Sequence, residues 1–173
     1  MNTTVSPGPS AGTRTNSNAS TMTSTDRIER AIHIQATRSR VWRAVSNAQE
    51  YGQWFGAKLT GATFTPGQHV KGPITICGHE DVIFDAIIER VEPEHLLSYR
   101  WHPYAVDPAF DYSQEQRTLV TFTLQDAADG TLLTVVESGF DQVPPGRRVT
   151  ALQMNTRGWE AQLNNVARHA TTS

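Results

Sequence analysis

One cysteine in 173 residues, Cys77, leaves the chain without an intrachain disulfide. A reducing compartment suits such a chain, and the cytoplasm is the expected location. Long apolar runs are missing as well: nothing approaches the roughly 18 consecutive apolar residues that span a bilayer. The chain has no basic excess. Its 15 Lys and Arg face 17 Asp and Glu, so no surplus is available to neutralise phosphates, and nucleic acid is not an expected partner. No glycine-rich phosphate loop follows a strand, because Gly56 and Gly61 have neither the spacing nor the helix. No Ser sits in a nucleophile elbow, and Cys77 has no obvious partner base in sequence. Cys77 and His79 are two apart, but no second pair with ligand spacing follows. No metal and no cofactor is therefore expected.

The first 25 residues are Ser, Thr, Asn, Gly and Pro with almost nothing to bury. They read as a disordered tail, because such a segment cannot offset the entropy of ordering. They have no apolar middle region, which argues against a secretory signal. A transit peptide is the rival reading, although only Arg14 and Arg27 are basic in and beside this segment. One folded domain is expected over residues 26–173, a size that a single core can support.

Within that domain Ile28, Arg30, Ile32 and Ile34 alternate with Glu29, His33 and Gln35, the period of a strand. Thr37 can cap a short helix with Val41, Trp42 and Val45 on one face, and Asn47 with Glu50 three residues on begins a second that Gly56 ends. Strands are predicted over Lys58–Thr65, Gln68–Cys77, Val82–Val91, Leu96–His102, Glu115–Gln125 and Thr131–Ser138, with Asp129-Gly130 as a hairpin turn. Gly72 and Pro73 weaken the second of these and suggest an edge or a bulge. Pro103–Ser113 reads as a loop, and Pro144-Pro145-Gly146 as a break. Val149, Leu152, Trp159, Leu163, Val166 and Ala170 then mark one stripe of a long helix. Gly158 interrupts its propensity, as if another backbone approached closely there. Strands grouped together with helices set apart from them argue for an α+β fold with an antiparallel sheet of about seven strands.

Four stretches in this order resemble one family. They are Ile28-Glu29-Arg30 leading to Val41-Trp42 and Trp54-Phe55-Gly56; Val91-Glu92-Pro93 with Leu97 and Trp101; Gly130-Thr131 with Leu133 and Glu137-Ser138-Gly139-Phe140; and Gly158-Trp159 with Leu163. Together they are similar to the activator-of-heat-shock-protein-90-ATPase-like proteins of the START and birch-pollen-allergen superfamily. Thr37 stands where the family usually has proline, and the Pro103–Ser113 loop is longer than usual. The resemblance implies a helix-grip fold, a curved sheet around the C-terminal helix with a cavity between them. It does not imply one activity, because relatives include carriers, receptors, cyclases and co-chaperone domains.

The candidate cavity residues are Arg30, Trp54, Phe84, Tyr99, Trp101, Leu133, Glu137 and Trp159. Thr131, Leu133, Val135 and Glu137 should share the concave face, with Arg30 of the neighbouring strand close to Glu137. A carboxyl aimed into an apolar cavity can act as a general acid or base; an ion pair closing one end of the sheet, or a Glu at a solvated mouth, is the competing reading. The aromatic residues would suit a flat ligand, with ordinary core packing as the alternative for each. The expected function is binding of a small apolar or amphipathic molecule. A cavity enzyme using Glu137, or a module that contacts a chaperone, stands as the alternative, and a second copy of the chain is a further candidate partner.

Overall fold

In the computed structural model, which describes residues 26–172, the alternation after Asp26 forms β1 (Arg27–Ile34). Thr37 caps α1 (Arg38–Ser46), accepting a hydrogen bond from the Arg40 amide. Asn47 does the same for α2 (Ala48–Phe55) through the Glu50 amide, and Gly56 closes it in the left-handed conformation, φ 97°. The chain continues through β2 (His69–Pro73), β3 (Ile83–Glu92), β4 (Leu96–Trp101), β5 (Thr118–Ala127) and β6 (Gly130–Ser138). A 3-10 turn at Phe140–Gln142 leads into α3 (Pro145–Thr172). The predicted tail, residues 1–25, lies outside the described residues.

The strands form one antiparallel sheet in the order β1-β6-β5-β4-β3-β2. This is the helix-grip arrangement with six strands instead of the seven expected. The segment predicted as a strand over Lys58–Thr65 meets β2 only where the Lys58 amide donates to the Pro73 carbonyl and Ala57 bridges Ile74. It then turns through Gly61 and inserts Leu59 and Phe64 into the core. This approach explains Gly72 in β2, because a Cβ there would lie 2.0 Å from the Lys58 carbonyl oxygen. Pro145 does not break the helix but opens it, since its missing N–H and fixed φ suit the first helical turn.

The interior holds aromatic rings gathered around Tyr51, with Trp54, Phe55 and Phe64 at centroid distances of 4.5, 5.3 and 5.3 Å. The Tyr51 and Tyr99 hydroxyls share a buried hydrogen bond of 2.5 Å. One hydroxyl donates to the other, and the second hydroxyl hydrogen finds no acceptor among the described residues. Removing either oxygen alone strands the survivor. Tyr51→Phe and Tyr99→Phe should each cost about 1–2 kcal/mol, and the double variant less than their sum. Urea unfolding of all three chains measures this, and strictly additive losses would contradict it.

Candidate functional site

Alternation along β6 places Thr131, Leu133, Val135 and Glu137 on the concave face, all fully buried. Across the ladder Glu137 meets Val120 on β5 and Ile28 on β1, which are apolar neighbours that offer the carboxyl nothing. Its partners come from farther away. Trp101 Nε1 at the end of β4 and Thr118 Oγ1 at the start of β5 donate to Oε2, each at 2.7 Å. Trp159 Nε1 and Asn155 Nδ2 of α3 donate to Oε1, each at 2.9 Å. Asn155 and Trp159 are four residues apart, so one helix face supplies both. Burial pushes the Glu137 carboxyl above its ordinary value, and the four donors pull against that rise.

The expected approach of Arg30 to Glu137 does not occur. Register puts Ile28 opposite Glu137 and places Arg30 opposite Val135, farther along an edge strand. From there Arg30 Nε reaches Glu160 of α3 at 3.1 Å, in an exposed ion pair. Such a pair contributes at most about 1 kcal/mol.

Beside this hub lies a cleft of about 820 Å³. It is not the closed cavity expected between sheet and helix, because the aromatic cluster around Tyr51 fills that space. The cleft opens where β4 ends and β3 begins. Phe55, Phe84, Trp101 and Trp159 form its floor. The turn between β2 and β3 contributes Ile74, Ile76 and Val82, the loop after β4 contributes Tyr104, Val106 and Phe110, and α3 contributes Met154 and Gly158. Ile76, Ile83, Val106, Phe110 and Met154 are exposed, so the mouth carries apolar surface between its charged side chains. Of the eight candidate residues, Phe84, Trp101 and Trp159 line this cleft. Glu137 lies behind the two indoles, Trp54, Tyr99 and Leu133 belong to the packed core, and Arg30 stands at the sheet edge.

Polar groups meet the cleft along one side. Arg117 donates from Nη2 to Asp85 Oδ1 at 3.1 Å and from Nη1 to the Asp85 carbonyl at 3.2 Å. His69 Nε2 lies 2.5 Å from the same Oδ1, and Lys71 Nζ lies 3.7 Å from Oδ2. Burial works to raise the Asp85 carboxyl, but the His69 hydrogen bond and the Arg117 charge outweigh it and hold the group low. Burial also lowers the His102 imidazole, with the Arg117 charge adding to the effect. The buried Nδ1 of His102 has no hydrogen-bond partner among the described residues. The outer wall is held by Arg147 in the first turn of α3. Its guanidinium grips the Glu115 carboxylate, donates to the Pro103 carbonyl at 2.7 Å and lies 4.8 Å from the centre of the Tyr112 ring. Among the described residues no group of three or more His, Cys, Asp and Glu side chains converges as a metal site.

The family described as activator of Hsp90 ATPase homolog 1-like protein matches residues 35–170, from the end of β1 to the last turn of α3. The chain belongs to this family. No curated protein matches it. Among solved structures it is similar to DynU16, a protein of the dynemicin biosynthetic locus, with 26% identity and a TM-score of 0.64 over 85% of this chain and 48% of that one. The chain thus spans about half the length of DynU16. MLL2253 from Mesorhizobium loti is also 26% identical, with a TM-score of 0.63 over 83% of this chain and 95% of that one. CalU16 from Micromonospora echinospora, at 20% identity and a TM-score of 0.58 over 84% and 76% of the two chains, shares the fold.

The family pattern carried in this sequence covers Trp101, Glu137, Gly158 and Trp159, and the fold brings these four to one end of the sheet. The resemblance did not reveal the wall of the cleft. Phe110 and Val106, large apolar residues in a loop punctuated by Asp107, Asp111 and two prolines, were the available signal. The expectation for Gly158 is also corrected. No backbone approaches it: a Cβ built there meets nothing within 4 Å, and the space beyond it is the cleft.

Proposed function

We propose that the chain binds a small apolar or amphipathic molecule in the cleft between the open ends of β3 and β4, the loop after β4, and α3. The observation that carries this reading is a cleft of about 820 Å³ with four aromatic side chains on its floor and exposed apolar side chains at its mouth. Sites of that size and lining suit small organic molecules, with a few polar groups to fix orientation. The likeness to DynU16, a protein of a biosynthetic locus, supports a small molecule as the partner. Glu137 acts as a positioning residue in this reading. Its oxygens are occupied by four donors, and no part of it lines the cleft, which weighs against a direct role in proton transfer to a bound molecule.

Two measurements test the proposal. Native mass spectrometry of freshly purified protein followed by denaturing extraction should show an apolar passenger, and the neutral dye Nile red should bind one per chain with a blue-shifted emission. Trp101→Ala removes on the order of 200 Å² of aromatic surface and should weaken the dye at least tenfold, which corresponds to about 1.4 kcal/mol. Unchanged affinity would place the dye elsewhere. Absence of both passenger and dye binding would overturn the reading and leave the exposed rim as a surface for a protein partner.

A further inference from the structure

The cleft shows a charge pattern that narrows its occupant, and the argument rests on the binding reading above. Four aspartates line the cleft, against one lysine and one arginine. Both cations are committed to a single acid, since Arg117 and Lys71 each engage Asp85. Asp81, Asp107 and Asp111 form no ion pair among the described residues. Asp107 and Asp111 accept hydrogen bonds from the Ala109 and Ser113 amides, contacts that leave the negative charge in place. The Ser113 bonds hold Asp111 below its ordinary value, so it stays ionised. Two histidines, His79 and His102, also line the cleft, and burial pushes the His102 imidazole towards its neutral form.

The floor carries no charge to offset the rim. The rings of Trp101 and Trp159 lie 5.7 Å apart and within 32° of parallel, and both indole N–H groups point away from the cleft into Glu137. Both indole N–H groups are therefore spent on Glu137, and hydrocarbon of the two rings borders the cleft. An anionic ligand would find no uncommitted lysine or arginine here, and a neutral one would leave the three rim carboxylates without a use.

We infer that the cleft takes an apolar molecule bearing a protonated or quaternary amine, its body on the aromatic floor and its charge beneath the aspartate rim.

The test displaces Nile red with three naphthalene compounds of similar size: trimethyl(2-naphthylmethyl)ammonium, its neutral carbon isostere 2-neopentylnaphthalene, and 2-naphthylacetate. The cation should bind at least tenfold more tightly than the isostere at low salt, with 2-naphthylacetate the weakest. Raising the salt should narrow that preference, because the rim carboxylates are exposed. In an Asp107→Asn, Asp111→Asn double variant, whose amide oxygens can keep the same backbone contacts, the cation-to-isostere ratio should fall to within about threefold of one. Equal binding of cation and isostere, or tighter binding of 2-naphthylacetate, overturns the charge assignment while leaving the cleft as a binding site. Failure of Nile red and all three compounds removes the binding reading, and this inference with it.

Discussion

Replacing Glu137 by Gln is expected to lower the unfolding free energy by about 2–4 kcal/mol near pH 5, the cost of a buried donor left facing another donor. The size and shape of the side chain are conserved, so the loss isolates the hydrogen bonding. Each carboxyl oxygen now accepts one indole N–H, and an indole nitrogen can only donate. The Gln amide has one acceptor oxygen and one NH2. Whichever way it turns, that NH2 confronts Trp101 or Trp159. Thr118 and Asn155 can reverse their roles, but the indoles cannot. For a folded part of this length the loss corresponds to a drop in melting temperature on the order of 10 °C.

The effect should also depend on pH in a fixed direction. Burial raises the Glu137 carboxyl above its ordinary 4.5. Its contribution to stability is therefore full below pH 4.5 and is lost as pH rises through the higher value in the folded state. Gln does not titrate, so the gap between wild type and variant should be widest at acidic pH and shrink towards pH 8. Thermal melts of both proteins at pH 5 and pH 8 measure it. A variant that melts with wild type at both values would mean that the four contacts do not hold the two indoles in place.

Gly158→Phe should remove Nile red binding by more than tenfold while the melting temperature stays level or rises slightly. Glycine in a helix interior costs about 1 kcal/mol relative to alanine, so almost any replacement that fits is neutral or better for α3. At Gly158 it fits, because the direction a side chain would take is open space belonging to the cleft. A phenyl ring there would occupy the volume a ligand needs. Gly72 shows the opposite case within the same fold, since even a methyl group there would meet the Lys58 carbonyl oxygen. If Gly158→Phe melts normally and still binds the dye with wild-type affinity, the binding site is not this cleft.

Much of the fold could be read from local signals. The Thr37 and Asn47 caps, the Gly56 stop and the alternation along β1 and β6 each act through residues a few positions apart. Those elements formed where their own chemistry dictates. The Lys58–Thr65 segment has strand-like composition but found no ladder to join, because pairing depends on a partner many residues away. The same limit applies to the site. The burial of Glu137 followed from the β6 pattern, but its donors come from β4, β5 and α3, and only the assembled fold brings them together. Arg30 carried the right charge to meet Glu137 but was placed by register against Glu160. The cleft was the least legible feature, because its walls are loops whose positions are set by contacts such as those of Arg147.

That arginine has a mechanical consequence. A single guanidinium joins the first turn of α3 to both ends of the loop after β4, through Pro103 on one side and Glu115 on the other, with Tyr112 against its face. The loop is thus fastened at its base like a hinge plate, and its tip is tied to that clamp only through Tyr112, against which Phe110 packs at 4.7 Å. Widening the base would require the start of the long helix to move with it, so the loop and the helix behave as one mechanical part.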